Sequence, residues 1–353
     1  MKLKLPKNGN IYIYGTGTFA RDVLNILIQR GLSVKGFLDH IPHQLDLPVM
    51  PPDTIPQEIR LDSAVVLGIH NRDANIAGII SRLKSLDFSR IITPVELYDD
   101  FADDLGTRFW LTSRDFYADY RREIDAVSNL FTDETSRDLY NRLIQFRLAG
   151  DYSILPGPDL EHQYFPADIP VWKTPLRFVD CGAYDGDTLT SFINAGIPIE
   201  AIAAFEPDEN NFRKLSQFIQ DKKDRFLSAS LWPCGVFSST TQLKFSTGRG
   251  EASNINTTGN GMLQCVSLDE AIPTFAPNLI KMDVEGAEYE ALLGAKKTIM
   301  NNCPGLAIAV YHRPEHIWQI PLLIKHWMDG EYTYHLRAHA FNDFEVIFYA
   351  VPK

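Results

Sequence analysis

Residues 177–188, Arg-Phe-Val-Asp-Cys-Gly-Ala-Tyr-Asp-Gly-Asp-Thr, constrain the fold of this chain more than any other stretch. Phe178 and Val179 read as the end of an apolar strand, and Asp180 with a turn containing Gly182 and Gly186 follows. A helix starts at about Asp187 or Thr188, either of which can cap its first turn. Strand, loop and helix N-terminus in that order hold a nucleotide-like ligand at the carboxyl end of a parallel sheet. The dinucleotide fingerprint brings glycines onto a pyrophosphate as Gly-x-Gly-x-x-Gly. Here they stand four apart, with Asp180 two residues before the first. That favours S-adenosylmethionine, which has no phosphate and carries a cationic amine and sulfonium that a carboxylate attracts.

A second stretch of the same kind opens the chain. Residues 11–14 read as a buried strand, followed by Gly15-Thr16-Gly17-Thr18-Phe19-Ala20. The next helix presents Phe19, Val23, Leu24, Ile26 and Leu27 on one face and ends at Gly31. A strand over 33–38 delivers Asp39, 22 residues after Gly17, in the place of a ribose-binding acid. Strands at 64–69, running out into His70 and Asn71, and at 90–92, with a helix over 74–86 between them, complete a small parallel sheet with helices on its faces. His70 taken alone reads as a loop-capping residue. Tyr-Gly-Thr-Gly-Thr-Phe-Ala-Arg-Asp-Val-Leu, Gly-Phe-Leu-Asp and Leu-Gly-Ile-His-Asn-Arg resemble the N-terminal domain of sugar acyltransferases that bind a nucleotide sugar. The resemblance implies a nucleotide sugar or sugar-linked ligand near Gly15, Gly17, Asp39 and His70.

With 353 residues the chain has room for two domains. Its net charge of −11 argues against nucleic acid as the main partner, and no basic run offsets it. Cys181, Cys234, Cys265 and Cys303 lack metal-type or paired spacing and read as reduced thiols of a cytoplasmic protein. The start, Met-Lys-Leu-Lys-Leu-Pro, lacks a signal-peptide apolar region, and no run is long enough to span a membrane. The expected organisation is a Rossmann-like nucleotide(-sugar)-binding domain over 1–96, a helical connector over 97–175 and a second α/β domain over 176–353. Within the connector, Leu130, Leu139, Leu143 and Phe146 recur at near-helical intervals. Phe109, Trp110, Phe116, Tyr117 and Tyr120 read as interdomain core rather than a sugar site. A proline-rich stretch over 156–175 then carries the chain to the second sheet.

In the second domain a strand over 201–205 ends at Glu206, 26 residues beyond Asp180, where a carboxylate can accept from both ribose hydroxyls. Residues 231–237 read as the third strand, 279–282 as the fourth and 306–310 as the fifth, ending at Tyr311 and His312. Two further strands, 333–336 and 344–351, close a seven-stranded sheet. The blocks Phe-Val-Asp-Cys-Gly-Ala-Tyr-Asp-Gly-Asp-Thr, Ala-Phe-Glu-Pro-Asp-Glu-Asn-Asn-Phe, Ser-Leu-Asp-Glu and Ile-Lys-Met-Asp-Val-Glu-Gly-Ala-Glu-Tyr-Glu-Ala-Leu-Leu-Gly-Ala resemble the FkbM family of methyltransferases, in the family's order. The resemblance implies a Rossmann-like class I methyltransferase domain and an adenosylmethionine-dependent O-methyltransferase acting on sugar or polyketide-type hydroxyls. It places Asp180, Gly182, Ala183, Gly186, Glu206 and Asp283 at the cofactor, with Asp283 and Glu285 beside the reacting centre.

Methyl transfer from a sulfonium asks mainly for alignment, but an aliphatic hydroxyl also needs its proton removed. His312 follows the fifth strand at the edge where Asp283 and Glu285 leave the fourth, so His312 is the expected base with one of the acids orienting it. A divalent metal on the Asp, Glu and His set is the less favoured alternative, and the two acids could instead only cap the next helix. His316 and His339 read as surface or hairpin residues. The expected acceptor is a sugar or nucleotide sugar, and a homo-oligomer is compatible with the sequence. Two other functions fit less well: a nicotinamide-dependent nucleotide-sugar oxidoreductase, which leaves the second sheet unexplained, and a non-catalytic binding protein, which leaves the intact acidic and glycine positions unexplained.

Overall fold

The structure is a computed structural model, and it describes residues 10–170, 172–245 and 261–353. The opening Met-Lys-Leu-Lys-Leu-Pro lies outside these. The chain divides into two compact units. The first comprises residues 1–122, 138–158 and 340–344, and the second 123–137, 159–339 and 345–353.

The first unit begins with β1 (Asn10–Tyr14), α1 (Thr18–Gln29), β2 (Val34–Leu38), β3 (Val49–Met50), α2 (Gln57–Arg60), β4 (Ser63–Leu67), α3 (Ile76–Ser85) and β5 (Arg90–Ile92). The strands form one parallel sheet in the order β3-β2-β1-β4-β5. Ile11, Ile13 and Val65 to Leu67 are buried almost completely, which is why their runs are apolar rather than alternating. Gly68 lets α1 lie directly on the sheet, since a Cβ there would sit 2.7 Å from Ala20. Next come α4 (Pro94–Leu105), whose start is closed by a capping box between Thr93 and Glu96, and α5 (Arg114–Asp119). Leu97, Phe101 and Leu105 of α4 face Val23, Ile26 and Leu27 of α1.

The stretch 97–175 is shared between the two units, because its apolar positions are spent on both cores. Trp110 and Tyr117 are buried in the first unit, as is Phe146 of α7 (Glu134–Ala149), while α6 (Arg121–Ser128) starts the passage to the second. The proline-rich segment is packed rather than a free linker. Trp172 donates from Nε1 to the Tyr164 carbonyl at 2.6 Å and lies against Gly305.

The second unit continues with β6 (Leu176–Cys181), α8 (Asp187–Asn194), β7 (Ile199–Phe205), α9 (Glu209–Asp221), β8 (Ser228–Trp232), β9 (Gly235–Val236), β10 (Thr241–Phe245) and β11 (Gly261–Val266). It ends with α10 (Leu268–Ala271), β12 (Leu279–Met282), α11 (Glu288–Leu293), α12 (Lys296–Asn302), β13 (Gly305–Ala309), α13 (His316–Trp327), β14 (Tyr332–Ala338) and β15 (Val346–Pro352). Seven strands form a sheet in the order β14-β15-β13-β12-β6-β7-β8, parallel except for β15, which runs antiparallel to both neighbours.

The third strand, expected over 231–237, is instead Ser228–Trp232. Pro233 has no amide to continue the ladder, and Gly235 and Val236 pair in a separate small sheet with β11. At the opposite edge β14 is covered: Thr132 N donates to the Tyr334 carbonyl at 2.9 Å, and Tyr334 N and Leu336 N donate to the hydroxyls of Thr132 and Ser136. Among the described residues no helix is long and apolar enough to cross a membrane.

Candidate functional site

The carboxyl ends of β6, β7, β12 and β13 bring the expected residues to one edge of the second sheet. After β6 the chain turns back on itself. Gly182 N and Ala183 N both donate to the Phe205 carbonyl at 3.0 Å, and Gly182 adopts φ +82. A Cβ on Gly182 would stand 1.9 Å from the Asp283 carbonyl oxygen, so this position admits no side chain. Ala183 is fully buried with its amide spent on Phe205, which leaves it a packing role. Gly186, at φ +91, takes the N-cap position of α8, so neither Asp187 nor Thr188 caps that helix. Asp187 instead lies in its first turn, where a negative charge favours the helix dipole.

Glu206 is 6% exposed, and its two oxygens accept from Tyr184 N and Asp208 N, each at 2.8 Å. The backbone thereby fixes the carboxylate at the end of β7 while each oxygen keeps a lone pair for a ribose hydroxyl. Burial raises its pKa above the ordinary carboxylate value, against those two amide donors.

Asp180 does not face a ligand as an uncompensated anion. It is completely buried, and Lys281, its neighbour across β6 and β12, places Nζ 3.1 Å from Oδ1 and donates to the Gly182 carbonyl at 2.6 Å. Burial alone would discharge the lysine, but Asp180, Asp283 and Asp187 outweigh it and hold the ammonium charged. The pair sits beneath the glycine turn and ties it to β12. Neither Asp180 oxygen has a well-formed hydrogen bond among the described residues.

The remaining acids surround His312. Its Nδ1 lies 2.8 Å from Glu288 Oε1, and its Nε2 lies 3.5 Å from Asp283 Oδ1 and 3.6 Å from Glu285 Oε2. Glu288 is the acid that organises the turn, since its Oε1 also accepts from Val284 N and Gly286 N. It therefore takes the capping role that Asp283 and Glu285 could have filled, and leaves those two beside the imidazole. Glu285 and Gly286 hold φ of +54 and +97, a left-handed conformation that costs a non-glycine residue about 1 kcal/mol or more.

Burial would lower the His312 pKa, but Glu288 first, then Glu285 and Asp283, push it up to about 10. The surrounding acids thus favour the imidazolium over the neutral ring that the role expected from sequence needs. Burial pushes Glu285 up to about 7, with His312 opposing and the neighbouring acids adding to the effect. The Glu285 side chain is nevertheless half-exposed, so a substrate can reach it.

Several partners escaped the sequence. Glu288 lies in the same short stretch as Asp283 and Glu285 but shows its role only through the turn it closes. His316, expected at the surface, is buried with Nδ1 3.1 Å from Glu288 Oε2, and His339 is buried between the Asp159 carbonyl and the Tyr349 hydroxyl. Tyr164, from the segment before the sheet, donates its hydroxyl to Asp283 Oδ2 at 3.1 Å. Asp283, Glu288 and His312 also have the composition and spacing of a divalent-cation set, their ligand atoms lying within 4.8 Å of one another.

In the first unit, Gly15 (φ +96) and Gly17 follow β1, Asp39 follows β2 and His70 lies beyond β4, all at the carboxyl edge of that sheet. Thr16 Oγ1 and Ile41 N donate to the two oxygens of Asp39.

Residues 180–342 match the model of the methyltransferase FkbM domain. The crystal structure of methyltransferase FkbM from Methylobacillus flagellatus KT superposes with a TM-score of 0.75 at 21% identity, covering 97% of this chain and 89% of that one. Aeropyrum pernix fibrillarin, solved with S-adenosyl-L-methionine bound, aligns at 14% identity over 53% of this chain and 70% of its own, with a TM-score of 0.30. No curated protein matches the chain. Glu206 with its open lone pairs, and a glycine turn closed against the Asp283 backbone, fit S-adenosylmethionine, the cofactor expected from the sequence. Residues 180–342 are thus similar to the methyltransferase FkbM domain, and the chain shares the fold of an FkbM methyltransferase.

Proposed function

We propose that the chain is an S-adenosylmethionine-dependent O-methyltransferase for a hydroxyl of a sugar or glycan precursor, with Glu285 as the proton acceptor. The observation that carries this is the half-exposed Glu285, its Oε2 3.6 Å from His312 Nε2, at the sheet edge that also holds Glu206 and the glycine turn. Glu206 and the turn after β6 hold the adenosine end of the cofactor, which supplies an electrophilic methyl carbon on a sulfonium. Bound there, the cofactor would supply its methyl group to the acceptor oxygen, the S–CH3 bonding pair returning to sulfur. The hydroxyl proton passes to Glu285 Oε2, while the His312 charge 3.6 Å away keeps that carboxylate ionised until the oxygen attacks. Asp283, oriented by Tyr164, is placed to accept a hydrogen bond from the acceptor.

The sugar class rests on the FkbM likeness, and the hydroxyl on the base. Glu288 Oε1 is already engaged by two amides and His312, which commits it to the turn. The test is methyl uptake from labelled cofactor over a panel of nucleotide sugars and free glycans, with Glu285→Gln beside the wild type. General-base removal lowers kcat by about 10²–10⁴ with little change in cofactor affinity. In the wild type kcat rises with pH through about 7, as Glu285 ionises, and then levels. A variant that keeps its turnover, or a wild-type activity abolished by chelator, would transfer the role to another group.

A further inference from the structure

Asp283 is held by residues that lie outside the 180–342 stretch of the domain match. Tyr164 donates its hydroxyl proton to Asp283 Oδ2 at 3.1 Å. Gln163 Nε2 donates to the Tyr164 hydroxyl oxygen at 3.3 Å and to Glu345 Oε2 at 2.6 Å. Glu345 Oε1 accepts from the Tyr311 hydroxyl at 3.1 Å. Within the second unit a continuous chain of hydrogen bonds therefore runs from Glu345, the residue before β15, through Gln163 and Tyr164 to Asp283, the residue after β12.

Proton counting gives this chain a direction. A tyrosine hydroxyl carries one proton, an amide nitrogen two, and an ionised carboxylate none. Because Gln163 donates into the Tyr164 oxygen, the tyrosine proton is left for Asp283. Glu345 decides which end of Gln163 faces the tyrosine, since its oxygen draws the amide nitrogen to that side. Burial, with Asp283 and Glu345 adding to it, raises the Tyr164 pKa well above the ordinary value, so the hydroxyl keeps its proton.

The two oxygens of Asp283 are thereby given different tasks. Oδ2 is taken by Tyr164, while Oδ1 lies 3.5 Å from His312 Nε2, the nitrogen that Glu285 Oε2 approaches at 3.6 Å. The Asp283 side chain is 21% exposed, so a bound acceptor can reach it. Tyr164 is itself fixed: Trp172 Nε1 donates to its carbonyl at 2.6 Å, and the Lys281 ammonium stands over its ring, 5.5 Å from the centroid. Glu345 holds φ +49, a left-handed backbone unfavourable for a residue with a side chain, and such departures cluster at functional sites.

We propose that Gln163 and Glu345 are positioning residues for the acceptor: through Tyr164 they turn Asp283 so that Oδ1 accepts a hydrogen bond from the acceptor while Glu285 takes the proton of the hydroxyl that is methylated. The inference rests on the methyl-transfer reading of the site, and it extends the acceptor side beyond the matched domain.

Initial rates of methyl transfer test it, with UDP-glucose, GDP-mannose and free oligosaccharides as acceptors. The proteins are wild type, Gln163→Met, Glu345→Met, Tyr164→Phe and the double variant Gln163→Met/Tyr164→Phe, each also measured for melting temperature and for calorimetric binding of S-adenosylhomocysteine. Gln163 is only half-buried, so its replacement tests the chain even if Glu345→Met fails to fold. The expected result is an acceptor KM raised about tenfold in each single variant, with kcat changed less and S-adenosylhomocysteine affinity within twofold of wild type. The double variant should be no worse than Tyr164→Phe alone, because both changes remove the same orientation of Asp283. An unchanged KM in a folded Gln163→Met overturns the inference alone, as do losses that multiply in the double variant or that fall equally on S-adenosylhomocysteine binding. A wild type that transfers no methyl group to any acceptor overturns the reading on which the inference rests, and the inference with it.

Discussion

Replacing Glu206 by glutamine tests the cofactor site without knowledge of the acceptor. Each carboxylate oxygen accepts from a backbone amide at 2.8 Å, and in the proposed cofactor site each also accepts from a ribose hydroxyl. Glutamine keeps one oxygen and turns the other into a donor that faces either Tyr184 N or Asp208 N. One ribose bond to a charged group is lost, worth about 1.5–3 kcal/mol, and the surviving one is weakened by loss of charge. A total near 3 kcal/mol corresponds to roughly 100-fold in Kd.

The pH dependence supplies a second arm. Burial raises the Glu206 pKa in the free protein, whereas ribose hydroxyls bind the ionised form. Affinity for S-adenosylhomocysteine should therefore fall as the solution is acidified through that raised pKa, with proton release on binding. Glutamine removes that dependence. Calorimetry at several pH values, alongside the melting temperature of each variant, reads both. A folded Glu206→Gln that binds within twofold of wild type and keeps the same pH profile refutes the placement of the ribose on Glu206.

The buried pairs make further predictions. Lys281→Met leaves Asp180 charged and uncompensated, so thermal or denaturant unfolding should show a loss of about 3–5 kcal/mol, much of it recovered by adding Asp180→Asn. Equal losses in the single and double variants would show that the ammonium is not there to balance Asp180. For His312 the folded pKa of about 10 exceeds the ordinary 6.5, so its ion pairs contribute fully below 6.5 and fade as pH rises through 10. That shift corresponds to about 5 kcal/mol at most. Glu288→Gln should flatten the fall in stability between pH 7 and 10, and an unchanged slope would remove Glu288 as the main cause of the shift.

The glycine turns and the acids at strand ends were legible because their spacing encodes a local geometry: strand, tight turn, helix. Asp180, Gly182, Gly186, Glu206, Asp283, Glu285 and His312 all reach the carboxyl edge of one sheet. What spacing could not encode was the division of labour among them. Lys281 balances Asp180 only because β6 and β12 are neighbours in parallel register, a pairing across about 100 residues. Whether Glu288 or its neighbours cap the turn depends on the positive φ of Glu285 and Gly286. Tyr164 lies 119 residues from Asp283 in a stretch whose prolines read as linker. The strand at 228–232 was hidden by Ser228, Ala229 and Ser230, exposed residues of an edge strand that need no apolar pattern.

The cover on β14 bears on where the chain can be cut. The methyltransferase match spans 180–342, yet the amides of Tyr334 and Leu336 find their partners at Thr132 and Ser136. A fragment starting at residue 176 would carry every residue proposed for chemistry except Gln163 and Tyr164. It would also present a bare seven-residue ladder to solvent, a template on which a second fragment can pair. Such a piece should aggregate where the full chain stays dispersed. The portion of sequence that records the chemistry is shorter than the portion that can exist alone.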